Sequence, residues 1–71
     1  MTDTVGARVA TIRQQRELSM RDLANKAGVA AATIHRLEHD RTRDPGIWTL
    51  VAIANALDVG VSTLWMGAQP P

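Results

Sequence analysis

Two histidines offer the most versatile side chains in this 71-residue chain. His35 and His39 stand four positions apart, which is the spacing of two metal ligands on one helix. The chain has no cysteine and no third histidine, and the nearby carboxylates Glu38 and Asp40 do not complete a tetrahedral ligand set. We therefore expect no metal site and interpret both histidines as surface side chains.

The hydroxyl side chains do not form a catalytic set. Ser19, Ser62 and the threonines have no histidine and carboxylate in a suitable third place, and no glycine-rich phosphate loop is present. The absence of cysteine also excludes thiol catalysis and disulfide bonds. We expect neither enzyme activity nor a cofactor, and no small-molecule ligand is evident.

Arginine dominates the basic residues, and its distribution along the chain is uneven. Seven of the eight cations are arginine, a side chain suited to paired hydrogen bonds with phosphates and guanine edges. The net charge is only +1, yet residues 8–43 hold all eight cations against four carboxylates, while both flanking segments are acidic. The basic segment therefore predicts phosphate binding, which the net charge alone does not.

The first half of the chain has two clear helix patterns. Apolar residues recur at helical spacing from Val5 to Ile12, which predicts a first helix over about residues 4–16. Ser19 followed by Asp22 is a capping pair, and Leu18 and Leu23 occupy the positions of a hydrophobic staple. These signals predict a second helix over residues 20–27, which Gly28 ends.

Three more helical segments follow. Around residues 31–39, we expect Ala30, Ile34 and Leu37 on one side of a helix and positions 31, 32, 35, 36 and 39 on the other. After a polar turn at 41–46, an apolar stripe predicts a fourth helix, and after a break at 58–60 a short fifth element follows. The stripe of the fourth helix comprises Ile47, Leu50, Val51, Ala54 and Leu57, and the fifth element contains Val61, Leu64 and Trp65.

No segment alternates apolar and polar residues as a strand does, so we predict an all-α fold, a compact bundle of five short helices. The chain is about half the usual domain length, which leaves room for one small core. Its longest uncharged stretch, residues 45–57, is too short to span a membrane. We expect one domain over residues 1–66, a flexible tail or linker start over 67–71, and a cytoplasmic location.

Residues 20–39 have the spacing of a helix-turn-helix, two short helices joined by a tight Gly-Val-Ala turn. Several further residues in register resemble the Cro/C1-type (lambda-repressor-like, XRE) DNA-binding domain over about residues 5–66: Ser19 to Ala24, Ala27 to Val29, Thr33-Ile34, Arg36 to Glu38, Pro45, Ala54, Leu57 and Val59. This resemblance implies a bacterial or phage transcriptional regulator, a repressor, that binds double-stranded DNA in the cytoplasm.

The resemblance assigns residues 31–39 to the helix that enters the major groove. Its groove-facing positions are Ala31, Ala32, His35 and Arg36. Family members often carry polar side chains at the first two positions, whereas Ala31 and Ala32 offer only methyl contact to a thymine. Arg36 is the candidate for direct readout of guanine, with a phosphate contact or solvent exposure as the alternative.

The resemblance also implies a set of phosphate contacts. Met20 stands where the family usually has glutamine, so only its backbone amide remains for this role, beside Ser19. The set is completed by Thr33, by His39, by the loop residues Arg41, Thr42 and Arg43, and by the amides of Gly46 and Ile47. Asp44 opposes phosphate approach, and the alternative interpretation of each loop arginine is a solvated surface charge.

Four further expectations concern packing and assembly. Arg13 and Glu38 match an internal ion pair of the family, strongly stabilising if buried and unimportant if exposed. Trp48 is expected to cover the edge of the core, with packing on the sugar–phosphate backbone as the alternative. The C-terminal region suggests a homodimer interface, although Trp65 fits core packing equally well; its residues are Val59, Val61, Trp65 and Met66.

A second function class stays open. An alanine-faced helix docks on an apolar protein as readily as on thymine methyl groups, so the fold also suits a protein-interaction module such as an antitoxin or anti-repressor element. The C-terminal Gln-Pro-Pro is further compatible with the N-terminal piece of a longer regulator.

Overall fold

The computed structural model describes residues 4–39 and 46–66, apart from the side chains of Trp65 and Met66. Within these ranges the chain forms five helices and no strand, which confirms the predicted all-α class. The helices are α1 (Val5–Gln15), α2 (Met20–Ala27), α3 (Ala31–His39), α4 (Ile47–Leu57) and α5 (Val61–Met66). Residues 41–45 of the predicted turn at 41–46 and the tail at 67–71 lie outside the described residues.

The caps of the first two helices follow from their sequences. The Thr4 hydroxyl accepts a hydrogen bond from the amide of Ala7 at 3.0 Å and starts α1. At α2 the Ser19 hydroxyl accepts from the Asp22 amide at 2.9 Å, while the Asp22 carboxylate accepts from the Ser19 amide at 3.1 Å. Gly28 ends α2 in the left-handed conformation with φ +74°, as predicted.

The five helices share a single core. α2 packs against α3 and α4, α1 packs against α3 and α5, and α4 packs against α5. α3 is therefore packed from two sides, by α1 and by α2. Every helix contributes at least one buried apolar side chain to the core. The core residues are Val9, Ile12, Leu23, Ala24, Ile34, Leu37, Leu50, Ile53, Ala54, Leu57 and Leu64.

Two expected core positions are wrong. Ala30 is exposed because it precedes α3, where its carbonyl accepts the amide of Thr33 at 2.9 Å. Ile47 is 58% exposed because the first residue of α4 projects beyond the core. Ile53, which the predicted stripe omitted, is fully buried instead, one turn after Leu50.

Gly6 sets the closest approach between α1 and α3. A Cβ atom at this position would overlap the carbonyl oxygen of Leu37. Only a residue without a side chain lets the two backbones come so near. The proximity brings α1 directly behind α3, which is the helix predicted to enter the groove.

Candidate nucleic-acid interface

The outward face of α3 carries the four residues predicted to face the groove. Ala31, Ala32, His35 and Arg36 are all exposed. Ile34 and Leu37, on the opposite face, are buried in the core. The helix therefore presents these four side chains to solvent together, with one arginine among them as the charged group.

His35 and His39 stack on this surface. Their ring centroids lie 4.4 Å apart at an interplanar angle of 24°. His39 Nδ1 is 3.1 Å from the His35 carbonyl oxygen, to which it donates a hydrogen bond in the tautomer that carries the proton on Nδ1. Among the residues described, no three His, Cys, Asp or Glu side chains group as metal ligands.

The ion pair Arg13–Glu38 joins α1 to the last turn of α3. Arg13 Nε donates to Glu38 Oε2 at 2.8 Å and Nη2 donates to Oε1 at 3.0 Å, so the pair is two-pronged. The two side chains are only 11% and 3% exposed. The hydrogen bond to Glu38 raises the pKa of Arg13, against the opposing effect of burial. The predicted pair is formed, and it is the buried case.

Arg13 also reaches the connection between α1 and α2, because its Nη1 donates to the Leu18 carbonyl at 2.8 Å. One guanidinium thus joins the end of α1, the approach to α2 and the last turn of α3. This contact has no sequence signature, since backbone carbonyl acceptors are the same at every residue.

A carboxylate, Asp22, lies at the N-terminus of α2, where the sequence predicts phosphate contacts. Asp22 is exposed, and its hydrogen bond from the backbone amide of Ser19 lowers the pKa of the carboxyl. An ionised carboxylate therefore lies beside the two predicted contacts, Ser19 and Met20, and repels a phosphate. The side chain of Met20 packs against the core, which leaves its backbone as the group of interest.

The other predicted phosphate contacts are divided between α3 and α4. Thr33 is half-buried and His39 is exposed. Gly46 and Ile47 are both exposed at the start of α4, where no side chain caps the helix. The loop residues Arg41, Thr42 and Arg43, which the sequence also assigns to phosphate, lie outside the described residues.

Trp48 is not part of the core edge. Its side chain is 81% exposed, so the expectation that it covers the core is wrong. Trp48 precedes the buried Leu50 by two residues, and at about 100° per residue this places it on the opposite side of α4. The helical periodicity therefore predicts an exposed Trp48, whereas its hydrophobicity suggested a contact with the core.

The predicted dimer region is described in part. Val59 and Val61 are half-buried and pack against the core of their own chain. Trp65 and Met66 belong to α5, but their side chains lie outside the description. The two valines retain some exposed surface, so the interface stays a prediction.

Sequence reasoning missed Arg16. Its Nε donates to the carbonyl of Leu57 at 2.7 Å and so links α1 to the C-terminal end of α4. Arg16 also borders an open cleft of about 430 Å³ between α1 and the α5 region. The lining residues are Arg8, Thr11, Ile12, Gln15, Arg16, Val59 and Thr63. Nothing in the linear pattern of charges distinguishes Arg16 from a solvated arginine.

A helix-turn-helix family model matches residues 9–64, most of the chain. The chain belongs to the helix-turn-helix family. Two curated relatives support this assignment. The immunity repressor protein of Bacillus phage phi105 is 39% identical over 61 residues, which cover 86% of this chain and 42% of the relative. The transcriptional regulator SinR of Bacillus subtilis is 35% identical over 60 residues, 84% of this chain and 54% of the relative.

Two solved structures resemble this helix-turn-helix domain closely. SinR in complex with DNA has a TM-score of 0.83 at 34% identity, covering 87% of this chain and 98% of that one. The N-terminal DNA-binding domain of SinR from Bacillus subtilis has a TM-score of 0.81 at 34% identity, covering 86% and 88%. These matches confirm the predicted Cro/C1-type resemblance and fold.

The named relatives are a repressor and a transcriptional regulator rather than enzymes, in agreement with the non-enzyme interpretation. The chain spans about half the length of the curated relatives it matches. In the described part of this helix-turn-helix domain, no helix is both long and apolar enough to cross a lipid bilayer.

Proposed function

We propose that the chain is a sequence-specific double-stranded DNA-binding domain of a repressor-type transcriptional regulator. The observation that carries this proposal is the outward face of α3, where all four predicted groove residues are exposed while Ile34 and Leu37 anchor the helix. A helix-turn-helix places such a face in the major groove. The likeness to SinR, whose structure was solved in complex with DNA, supports the same partner here.

Arg36 has the central role in reading sequence. Its exposed guanidinium matches the two acceptors on the major-groove edge of guanine. Ala31 and Ala32 supply methyl contact to thymine, and His35 lies at the groove edge. Phosphates are then bound by His39, by the arginines at positions 41 and 43, and by backbone amides at the start of α4.

Selection of bound duplexes from a random pool tests this function. We expect one enriched motif that contains a guanine, and its symmetry reports the number of subunits. A motif with two half-sites about one helical turn apart supports the proposed homodimer through the C-terminal region. A pool with no enrichment at low salt, together with co-purification of a protein partner, supports the interaction-module alternative and contradicts the proposal.

Two substitutions at one position then separate base readout from charge. Arg36→Ala is expected to relax specificity at one base pair by about 1–3 kcal/mol, because the paired hydrogen bonds are lost. Arg36→Lys keeps the positive charge but lacks the planar fork, so it should recover affinity without the full discrimination. Equal preference for all four bases in the wild type at every position would contradict sequence-specific binding.

A further inference from the structure

Ile47 and Trp48 form an exposed apolar patch at the start of α4. They are 58% and 81% exposed, and they are the large hydrophobic side chains that the described residues leave in solvent. An indole contributes roughly 150–250 Å² of contact area when it is buried, so its exposure in one domain marks a surface that a partner covers. The core cannot use Trp48, because Leu50, Ile53 and Leu57 occupy the inward face of α4.

The charge around this patch favours an anionic partner. α4 has no charged residue from Ile47 to Leu57, and the first turn holds neither an acidic side chain nor a side-chain cap. The amides of that turn carry the positive end of the helix dipole. In the sequence, Arg41 and Arg43 precede the patch, and Asp44 offsets one of these charges.

The size of the patch among the described residues favours a narrow partner over a protein. A stable protein interface covers about 800 Å² on each side, several times what one indole and one isoleucine provide. A sugar–phosphate strand is narrow, combines apolar sugar faces with phosphate oxygens, and matches a ring that has a single N–H donor. Only seven residues, 40–46, separate the last residue of α3 from the first residue of α4 in the sequence.

We propose that Trp48 packs on the sugar–phosphate backbone of the bound duplex and donates its indole N–H to a phosphate oxygen. Ile47 contacts the adjoining sugar. This inference rests on the proposed function and adds to it a contact that carries no sequence information. Trp48 acts by fixing the position of the domain on the backbone, whereas Arg36 reads a base.

The test uses the full chain labelled with 5-fluorotryptophan, whose two ¹⁹F resonances are assigned with a Trp48→Phe variant. On addition of the selected duplex, the Trp48 resonance is expected to shift and to become protected from a soluble paramagnetic quencher. Trp48→Ala should weaken binding about tenfold, equally for the selected duplex and for an unrelated one. Trp48→Phe keeps a ring without the N–H, so its affinity should lie between the two.

Two controls make the test specific. The unfolding midpoint of Trp48→Ala should match that of the wild type, because the side chain is exposed. The salt dependence of binding should also be unchanged, because the indole neutralises no phosphate.

Three results would overturn the inference, and they differ from one another. Wild-type affinity of Trp48→Ala for both duplexes overturns it and leaves the proposed function standing. A Trp48 resonance that moves with protein concentration without DNA assigns the patch to a second copy of the chain. A wild-type protein that binds no duplex overturns the proposed function together with this inference.

Discussion

At the scale of single residues, the buried pair Arg13–Glu38 links α1 to the last turn of α3. Both carboxylate oxygens are occupied by one guanidinium, at 2.8 and 3.0 Å. With Arg13 in place, Glu38 is only 3% exposed, so little solvent screens the pair. Removal of one partner of such a pair leaves an uncompensated charge in the interior, which is strongly destabilising.

Arg13→Ala should therefore destabilise the domain by about 3–5 kcal/mol, because Glu38 is left buried without its counter-charge. Urea unfolding measures the change. Arg21→Ala is the matched control: it removes an exposed arginine of α2 and should alter stability by no more than about 0.5 kcal/mol. Equal effects of the two substitutions would contradict a structural role for the pair.

The sequence predicted the Arg13–Glu38 pair, but it did not predict the burial or the backbone contacts of several other residues. Arg13 and Glu38 follow from the family resemblance, whereas their burial needs the packing of α1 on α3. For Trp48 the prediction failed, because its hydrophobicity suggested a core contact while its position on α4 leaves the side chain in solvent. Gly6 gave no signal, because a close backbone approach to Leu37 involves a residue 31 positions away.

At the scale of elements, α2 was the most predictable helix because its signals are local. Its bounds, the reciprocal Ser19–Asp22 cap and the left-handed Gly28 all lie within ten residues of one another. Burial at the starts of α3 and α4 was harder to predict, because Ala30 and Ile47 are apolar but lie at or just before a first turn. Tertiary contacts, not hydrophobicity, decide which apolar residues enter the core there.

The cap of α2 should make stability depend on pH in acid. The hydrogen bond from the Ser19 amide holds the pKa of Asp22 below its ordinary value of 3.8. A lowered folded-state pKa contributes stability above the ordinary value, and this contribution is lost as the pH falls through the folded-state pKa. Asp22→Asn keeps the side-chain shape without titrating. The stability difference between wild type and Asp22→Asn, measured by thermal unfolding, should shrink below about pH 4.

The same substitution distinguishes capping from phosphate binding. Removal of the negative charge at the start of α2 should tighten DNA binding at neutral pH while it weakens the helix cap. Weaker DNA binding by a fully folded Asp22→Asn variant would contradict the view that this carboxylate opposes a phosphate.

At the scale of the whole molecule, the net charge is small but the positive charges are concentrated in one segment of the chain. All eight cations fall within residues 8–43, although the net charge is +1. The structure uses some of these cations internally: Arg13 is paired with Glu38, and Arg16 donates to Leu57. The number available for phosphates is therefore smaller than the sequence count.

We expect about 3–5 phosphates to be neutralised per subunit, so that log K falls against log salt with a slope of about −3 to −4.5. Fluorescence anisotropy of a labelled duplex between 50 and 200 mM salt, on the order of physiological ionic strength, measures this slope. Arg41→Ala should make it less steep by about 0.9, whereas Lys26→Ala, outside the proposed interface, should not change it. A flat salt dependence would contradict a phosphate-based interface.

The inward face of α3 packs in the core and the outward face carries the proposed base contacts, so the DNA preference of the domain can be changed separately from its folding. Ile34, Leu37 and Glu38 hold the helix in place, while none of the four outward residues belongs to the core. New side chains at the outward positions would therefore leave the folding of the bundle almost untouched. The core and the DNA-facing surface are made of different residues. Variants with altered operator preference can therefore be sampled at Ala31, Ala32, His35 and Arg36 without compensating changes in the core.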